Sequence, residues 1–202
     1  MASISKIQQD IYNLTSSEFI NKYFLSEGIW YFNEVLHHEK DNALLLELEL
    51  KKQIKNFLNL NDGAIYMVGS GKIGCSLNPT KLFQPFRIDS DDGKPSDIDI
   101  AIISSEIYHF YWDLFRSSYS PLHSYSYKYI SREIYRGYIS ERNIKEIPNC
   151  RRNWNIRTKK LKKLLSNNFE FRHEINYRIY RNEADFLEYV TQNLDEIKLG
   201  GQ

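Results

Sequence analysis

Two short segments, Met67-Val68-Gly69-Ser70 and Ser96-Asp97-Ile98-Asp99-Ile100, indicate the fold of this chain. The first segment ends an apolar run, residues 64–68, that predicts a short buried strand followed by a glycine turn. The second segment opens a β-branched run that continues to residue 103 and predicts another strand. Because side chains two positions apart on a strand point to the same face, we expect Asp97 and Asp99 to project together.

The aspartate pair suggests metal-dependent phosphate chemistry. Two carboxylates that converge on one spot are unfavourable unless cations lie between them. Two Mg²⁺ or Mn²⁺ ions, about 3.5–4 Å apart, could activate a hydroxyl there and stabilise a leaving pyrophosphate. An aspartate inside the run Ile-Asp-Ile-Ala-Ile-Ile also opposes β-propensity, which is typical of a functional residue. The alternative is that Asp97 caps a turn and Asp99 forms an ion pair on an edge strand.

The glycines of residues 69–74 match two other phosphate-binding motifs less well. Gly69-x-Gly71-x-x-Gly74 has the dinucleotide spacing, but Asn78-Pro79 stops the long helix that a Rossmann site requires. In a P-loop alignment, Ile73 takes the place of the magnesium-binding Ser or Thr, and Tyr66 takes that of the first glycine. Both interpretations are therefore disfavoured.

The order of motifs resembles the DNA polymerase β-like nucleotidyltransferase superfamily, in its small bacterial defence-type and toxin–antitoxin-type members. The shared order is an apolar strand, Gly-Ser, a polar stretch and then Asp-x-Asp entering a second strand. The resemblance covers residues 64–103 well and about 170–190 loosely. It implies an α/β (α+β) nucleotidyltransferase fold, a small mixed sheet flanked by helices, here with an N-terminal helical layer. It also implies that an NMP or dNMP group passes from an NTP or dNTP to a hydroxyl, with release of pyrophosphate.

The resemblance assigns the nucleotide to the glycine turn and to later arginines. Gly69 would let the backbone approach a phosphate, Ser70 and nearby backbone amides would hold the β- and γ-phosphates, and Lys72 would add positive charge. Arg178 and Arg181 alternate with tyrosines and would bind the triphosphate or stack on a base. The alternative for both arginines is ordinary ion pairing at the surface.

Active members of the family use a third acid on a following strand, and residues 169–181 alternate as a strand does. One face of that strand is apolar and is expected in the core: Ile175, Tyr177 and Ile179. Glu174 lies on the other face and is the candidate third ligand; the alternative is a strand-end charge paired with Arg172 or Arg178. The family's usual residue there is Asp, so the alternative that the protein is catalytically inactive stays open. We expect the loop acids Asp89, Asp91 and Asp92 to be solvated.

Charge is distributed unevenly along a chain whose net charge is only +1. Residues 1–102 hold 10 basic and 14 acidic residues, whereas residues 103–202 hold 17 and 12. The tract 128–163 alone holds 12 basic and 3 acidic residues. Aromatic residues interrupt this tract: Tyr129, Tyr135, Tyr138 and Trp154. Cations beside flat rings suit single-stranded nucleic acid, although a solvated helix face with tyrosines packed in the core is the alternative.

We expect a single domain over residues 1–202 with three parts: helices at 1–60, the catalytic core at 64–116 and a basic, aromatic part at 117–202. In the last part, 117–150 looks irregular, 155–167 looks like a basic helix and 183–197 like a terminal helix. No run has the roughly 18 apolar residues of a membrane span, and the N-terminus lacks a signal-peptide core. With only two cysteines, a reduced cytoplasmic protein without a membrane partner is expected.

Three hypotheses on function remain open. The first is an active enzyme that makes an oligonucleotide, for instance by DNA synthesis in antiphage defence; Tyr189, beside the apolar face of the terminal helix, is then a candidate priming hydroxyl. The alternative for Tyr189 is a tyrosine at the rim of the core. The second hypothesis is an inactive module that binds nucleic acid or a partner. The third is nucleotidylation (AMPylation) of a partner effector protein such as a toxin.

Overall fold

The sheet is built from the two predicted strands and two later ones. The computed structural model describes residues 2–61, 63–89 and 93–200. Within these residues the strands are β1 (Ala64–Val68), β2 (Ile98–Ile103), β3 (Tyr138–Ser140) and β4 (Ile175–Tyr180). Their order is β1-β2-β4-β3, with β2 antiparallel to β1 and parallel to β4, and β3 antiparallel to β4. The expected mixed α/β class, a small mixed sheet flanked by helices, is confirmed.

Helices form most of the remaining chain. In the described ranges the α-helices are α1 (Ile4–Asn13), α2 (Ser16–Ile20), α3 (Lys40–Leu58), α4 (Gly69–Ile73), α5 (Ser105–Ser117), α6 (Ser124–Tyr135), α7 (Glu141–Glu146), α8 (Pro148–Phe169) and α9 (Glu183–Gly200). Short π-helical turns at Asn21–Leu25 and Tyr31–Val35 continue the predicted N-terminal helical layer. Among the helices described, none has both the length and the apolar character that crossing a bilayer requires.

The alternation of side chains along β2 divides the interior into two cores. Ile98, Ile100 and Ile102 are buried on one face of the sheet, in a cluster with residues of α3, α5 and α8. Ala101 and Ile103 are buried on the other face, in a cluster with residues of α1, α2 and α9. Asp99 lies two residues before Ala101 and therefore on this second face. It lies near the start of β2, at the end of the sheet, and is exposed.

The N-terminal layer is joined to the rest of the chain by a buried histidine. His173, just before β4, accepts or donates at both ring nitrogens: Nδ1 lies 2.7 Å from the Tyr31 hydroxyl and Nε2 lies 3.0 Å from the Ile88 carbonyl oxygen. Phe86 packs edge-on against this pair. These contacts fix the loop that leads into the Asp-x-Asp segment.

Two expectations for the second half of the chain were wrong. Residues 117–150 are not irregular, because α6, β3 and α7 lie within them. Tertiary hydrogen bonds hold these elements: the Tyr127 hydroxyl donates to the Phe115 carbonyl, and Glu133 accepts from the backbone and hydroxyl of Ser140. The predicted strand 169–181 is shorter at its start, because α8 continues to Phe169 and β4 begins at Ile175.

Candidate functional site

The two sequence motifs meet at one edge of the sheet. In the antiparallel register Val68 pairs with Asp99, so Gly69 follows directly beside the aspartate. Gly69 has φ of +65°, and a Cβ there would lie 3.0 Å from the Asp99 Oδ2 atom. Both the backbone conformation and the close approach of the carboxylate therefore favour glycine at this position.

Asp99 occupies an environment that disfavours its charge. The side chain is exposed, but it lies against the Gly69 turn and on the same sheet face as Arg178, which removes part of its hydration. This loss of hydration raises the pKa of Asp99 to about 6; Arg178 opposes the rise and Asp97 adds to it. The predicted proximity of Asp97 and Asp99 is consistent with this repulsion. A cation bound between Asp97 and Asp99, in addition to Arg178, would be stabilised by both carboxylates.

Glu174 lies beside Asp97, two residues before Asn176, which is the strand partner of Asp99. The backbone N–H of Ile98 donates to the Glu174 carbonyl at 2.8 Å, and Lys94 Nζ lies 3.6 Å from Asp97 Oδ1 and 3.8 Å from Glu174 Oε2. Lys94 thus bridges the two acids at the rim, where the Glu174 side chain is 55% exposed. The strand neighbour of Asp99 is Asn176.

The carboxylates of Asp97, Asp99 and Glu174 are the candidate metal ligands at this end of the sheet. Across the described residues no three His, Cys, Asp or Glu side chains come together as a ready metal cluster. Magnesium, however, is commonly bound through one or two carboxylates, with substrate phosphates and water as the other ligands. The donor set of Asp97 and Asp99 fits a cation of that kind and does not fit a closed protein cage. Asp89 is exposed in the loop, and Asp91 and Asp92 lie outside the described residues.

Arg178 is a cation on β4 whose charge acts on Asp99. It pairs with Ala101 in the parallel register and lies on the same face as Asp99. Its guanidinium carbon lies 5.1 Å from the Tyr138 ring centre and 4.7 Å from that of Tyr189. Its Nε is buried without a hydrogen-bond partner among the described residues. The arrangement holds a positive charge by cation–π contacts and leaves donor capacity for an anion.

Lys72 is placed away from this edge, which corrects the prediction that it adds charge to a triphosphate. Its buried ammonium donates to the Ser26 carbonyl at 2.7 Å and lies 3.7 Å from Glu47 Oε1. Burial lowers the pKa of Lys72, and the charge of Glu47 opposes that effect. Because both partners belong to the N-terminal layer, Lys72 anchors α4 against that layer. Ser70, in contrast, stays half-buried in the first turn of α4 beside Gly69.

Arg181 and Tyr189 have different positions relative to the site. Arg181 follows the far end of β4, where its guanidinium binds both carboxylate oxygens of Asp185 at 2.7 and 2.8 Å. Arg181 is therefore not brought together with the aspartates; it forms a surface ion pair, the alternative considered from the sequence. Tyr189 of α9 is half-buried on the same sheet face as Asp99 and contacts Arg178.

The structure divides the basic tract among three helices and β3. Trp154 is fully buried in the core, so the expectation that it stacks on a base is wrong. Lys145 and Lys162 lie 2.7 and 3.1 Å from the buried Glu141 and stabilise packing. Tyr129 and Tyr135, both in α6, remain exposed.

Three neighbours of the site were not singled out from the sequence: Lys94, Arg136 and Asn176. Arg136 lies 5.0 Å from the Tyr189 ring centre and 5.8 Å from that of Tyr138, the two rings that also hold Arg178. In the sequence, the spacing of four residues from Arg132 would have indicated that Arg136 lies near the same helix face.

Comparison of the chain with protein-family models, with curated proteins and with solved structures found no match.

Proposed function

We propose that the chain is a metal-dependent nucleotidyltransferase of the DNA polymerase β-like type. The observation that supports this most strongly is the close approach of Asp99 to the Gly69 turn at the end of the sheet where β2 begins, with Asp97 near enough to act on the Asp99 charge. A turn without a side chain gives a triphosphate close access to backbone, and the paired carboxylates provide charge of the sign that metal-bound phosphates require.

In the proposed reaction an acceptor hydroxyl oxygen forms a bond to the α-phosphorus of an NTP or dNTP. The bond between the α-phosphorus and the oxygen bridging to the β-phosphate breaks, pyrophosphate leaves with the electron pair, and the hydroxyl proton passes to water. A bound Mg²⁺ or Mn²⁺ would neutralise phosphate charge and polarise these oxygens. Asp97 and Asp99 would hold the cation, and Arg178 would stabilise negative charge from its position on the same face.

Labelled nucleotides test the proposal. Purified protein is incubated with each α-³²P-labelled NTP and dNTP and with Mg²⁺ or Mn²⁺, and transfer of label to an acceptor is followed. We expect transfer that falls at least about 100-fold in Asp97→Asn and in Asp99→Asn, the scale on which removing one electrostatic group acts. Asp113→Asn, the same change at a side chain 76% exposed on α5, is the matched control and should keep full activity. Transfer that persists in both site variants would refute the proposal.

A second candidate function has a specific observation in its favour. The position beside Asp99 on β4 is Asn176, and the described residues hold no group of three His, Cys, Asp or Glu side chains that could close a metal site. A module of the same fold that binds a nucleotide or nucleic acid without reaction would have this composition. It predicts nucleotide binding without pyrophosphate release, which equilibrium binding and the transfer assay together would distinguish.

A further inference from the structure

Helix α6 presents an exposed face of alternating rings and cations. Tyr125, Lys128, Tyr129 and Arg132 follow the spacing of three and four residues that places side chains on one face of a helix. Tyr125 is 72% exposed and Tyr129 is 42% exposed. Their ring centres lie 5.1 Å apart with the ring planes at 69°, and their hydroxyl oxygens lie 2.7 Å apart, so they form a hydrogen-bonded, edge-to-face pair of exposed rings. Solvated tyrosine pairs bury little area within the chain, so their packing against the protein does not explain them.

The charge on this face is of one sign. The one acid in α6, Glu133, turns away from it and accepts hydrogen bonds from Ser140. Arg142, at the start of α7, is exposed and close enough to act electrostatically on the Tyr125 hydroxyl. The pair of exposed tyrosines is therefore flanked by cations that have no acidic partner on the same helix face.

Contacts connect this face to the aspartates. Arg136 follows α6 on the side of Arg132, and its guanidinium lies over the Tyr138 and Tyr189 rings. The same two rings hold Arg178, whose charge acts on Asp99. We name Tyr125, Lys128, Tyr129, Arg132 and Arg136 the α6 track. Of the track, Arg136 shares two rings with Arg178, whose charge acts on Asp99, so these contacts lead from the C-terminal end of α6 toward the aspartates.

We propose that the α6 track binds a single-stranded nucleic acid whose 3′ end reaches the aspartate pair. This inference rests on the proposed function and names its acceptor: the 3′-hydroxyl oxygen of the strand would attack the α-phosphorus. Phosphates would lie on Lys128, Arg132 and Arg136, and bases would stack on the exposed rings. A duplex is disfavoured because its bases are already stacked on each other and present no free faces to Tyr125 and Tyr129.

Binding is measured without catalysis, by fluorescence anisotropy in EDTA and without nucleotide. The probes are fluorescein-labelled oligo(dT) and oligo(U) of about ten nucleotides, within the usual site size, and a duplex of equal length. We expect a single strand to bind more tightly than the duplex. Because stacking contributes about 1–3 kcal/mol per base, Tyr125→Ala/Tyr129→Ala should weaken binding by about 10-fold or more. Tyr12→Ala, at a 50% exposed tyrosine of α1, is the control and should bind as the parent protein does.

The outcomes separate this inference from the proposed function. No binding of either single strand, preference for the duplex, or unchanged affinity in the double tyrosine variant would overturn the inference. Transfer of label to a protein or small-molecule acceptor without oligonucleotide binding would also overturn it and leave the proposed function intact. Oligonucleotide binding with the expected tyrosine effect, but without any transfer of label, would support the track and refute the proposed function.

Discussion

Gly69 is the residue at which backbone conformation and site geometry coincide. We predict that Gly69→Ala lowers stability by about 1–3 kcal/mol, because the positive φ is strained for alanine. The added Cβ would also meet Asp99 Oδ2 at 3.0 Å and displace the carboxylate, so activity should be lost together with stability. Thermal unfolding and the transfer assay measure the two effects. Gly200→Ala, where a Cβ meets nothing within 4 Å, should change neither.

Asp99 gives a prediction on the pH dependence of stability. Its pKa is raised to about 6 in the folded chain from an ordinary value of 3.8, so the folded state binds the proton more tightly. Stability therefore falls as the pH rises from about 4 to about 6. Asp99→Asn removes this effect and should raise the free energy of unfolding at pH 7.5 by about 1–2 kcal/mol, after allowance for solvent screening.

Denaturant unfolding of Asp99→Asn and the parent protein at pH 4 and pH 7.5 measures this difference. The gain should be present at pH 7.5 and nearly absent at pH 4. A variant that is equally or less stable than the parent at pH 7.5 would show that the carboxylate is well solvated or already paired. In either case a cation would have less to stabilise at this site.

At single positions the sequence predicts some directions of side chains and not others. The faces of Asp99 and Arg178, each opposite the apolar face of its strand, were predictable because a strand fixes which face each residue occupies. The direction of Lys72 was not predictable, because its partners Ser26 and Glu47 lie in a distant part of the chain. A lysine within a glycine-rich turn has the same local pattern whether it faces a ligand or the protein interior.

At the scale of elements, Glu141 joins α7 and α8 to β4. The buried carboxylate accepts from the Tyr177 backbone N–H and from Lys162, both at 3.1 Å, and pairs with Lys145. Burial alone would raise its pKa, but Lys145 and Lys162 outweigh burial and hold it below the ordinary value. The stabilisation is therefore present at neutral pH and lost as the pH falls below about 4.5, the ordinary value for a glutamate.

We predict that Glu141→Gln lowers the free energy of unfolding at pH 7 by about 1–3 kcal/mol, since a buried backbone donor loses its charged acceptor. Denaturant unfolding followed by circular dichroism measures the change. Glu146→Gln, the same substitution at an exposed position of the same helix, should be neutral. An equal effect of the two substitutions would show that Glu141 does not hold these elements together.

The elements that sequence patterns predicted best are those with strong hydrophobic periodicity. Strands β1 and β2 and helix α9 were expected near their observed positions, since apolar residues repeat there at strand or helix spacing. Helix α6 was missed because its serines and tyrosines have weak helix propensity. Its single buried residue and its hydrogen bonds to α5 and β3 stabilise it through tertiary contacts.

At the scale of the whole molecule, the charge asymmetry between the two halves has a partial structural explanation. Some of the later basic residues neutralise buried acids, as Lys145 and Lys162 do at Glu141. Others, along α6, remain exposed and lead toward the aspartates of the first half. The cancellation that leaves a net charge of +1 therefore combines internal pairing with a surface of separated signs. No count of charges along the sequence could distinguish these two uses, because both depend on which helix face each residue occupies.

The central claim is that one sheet edge holds a metal-bound nucleotide, and a crystal structure with Mn²⁺ and a non-hydrolysable NTP analogue tests it most directly. We predict an anomalous manganese peak about 2.1 Å from a carboxylate oxygen of Asp97, a carboxylate oxygen of Asp99 and an oxygen of the α-phosphate. The triphosphate should lie against the Gly69 turn. A nucleotide bound at another part of the surface, or bound at this edge with no manganese at the two aspartates, would contradict the account.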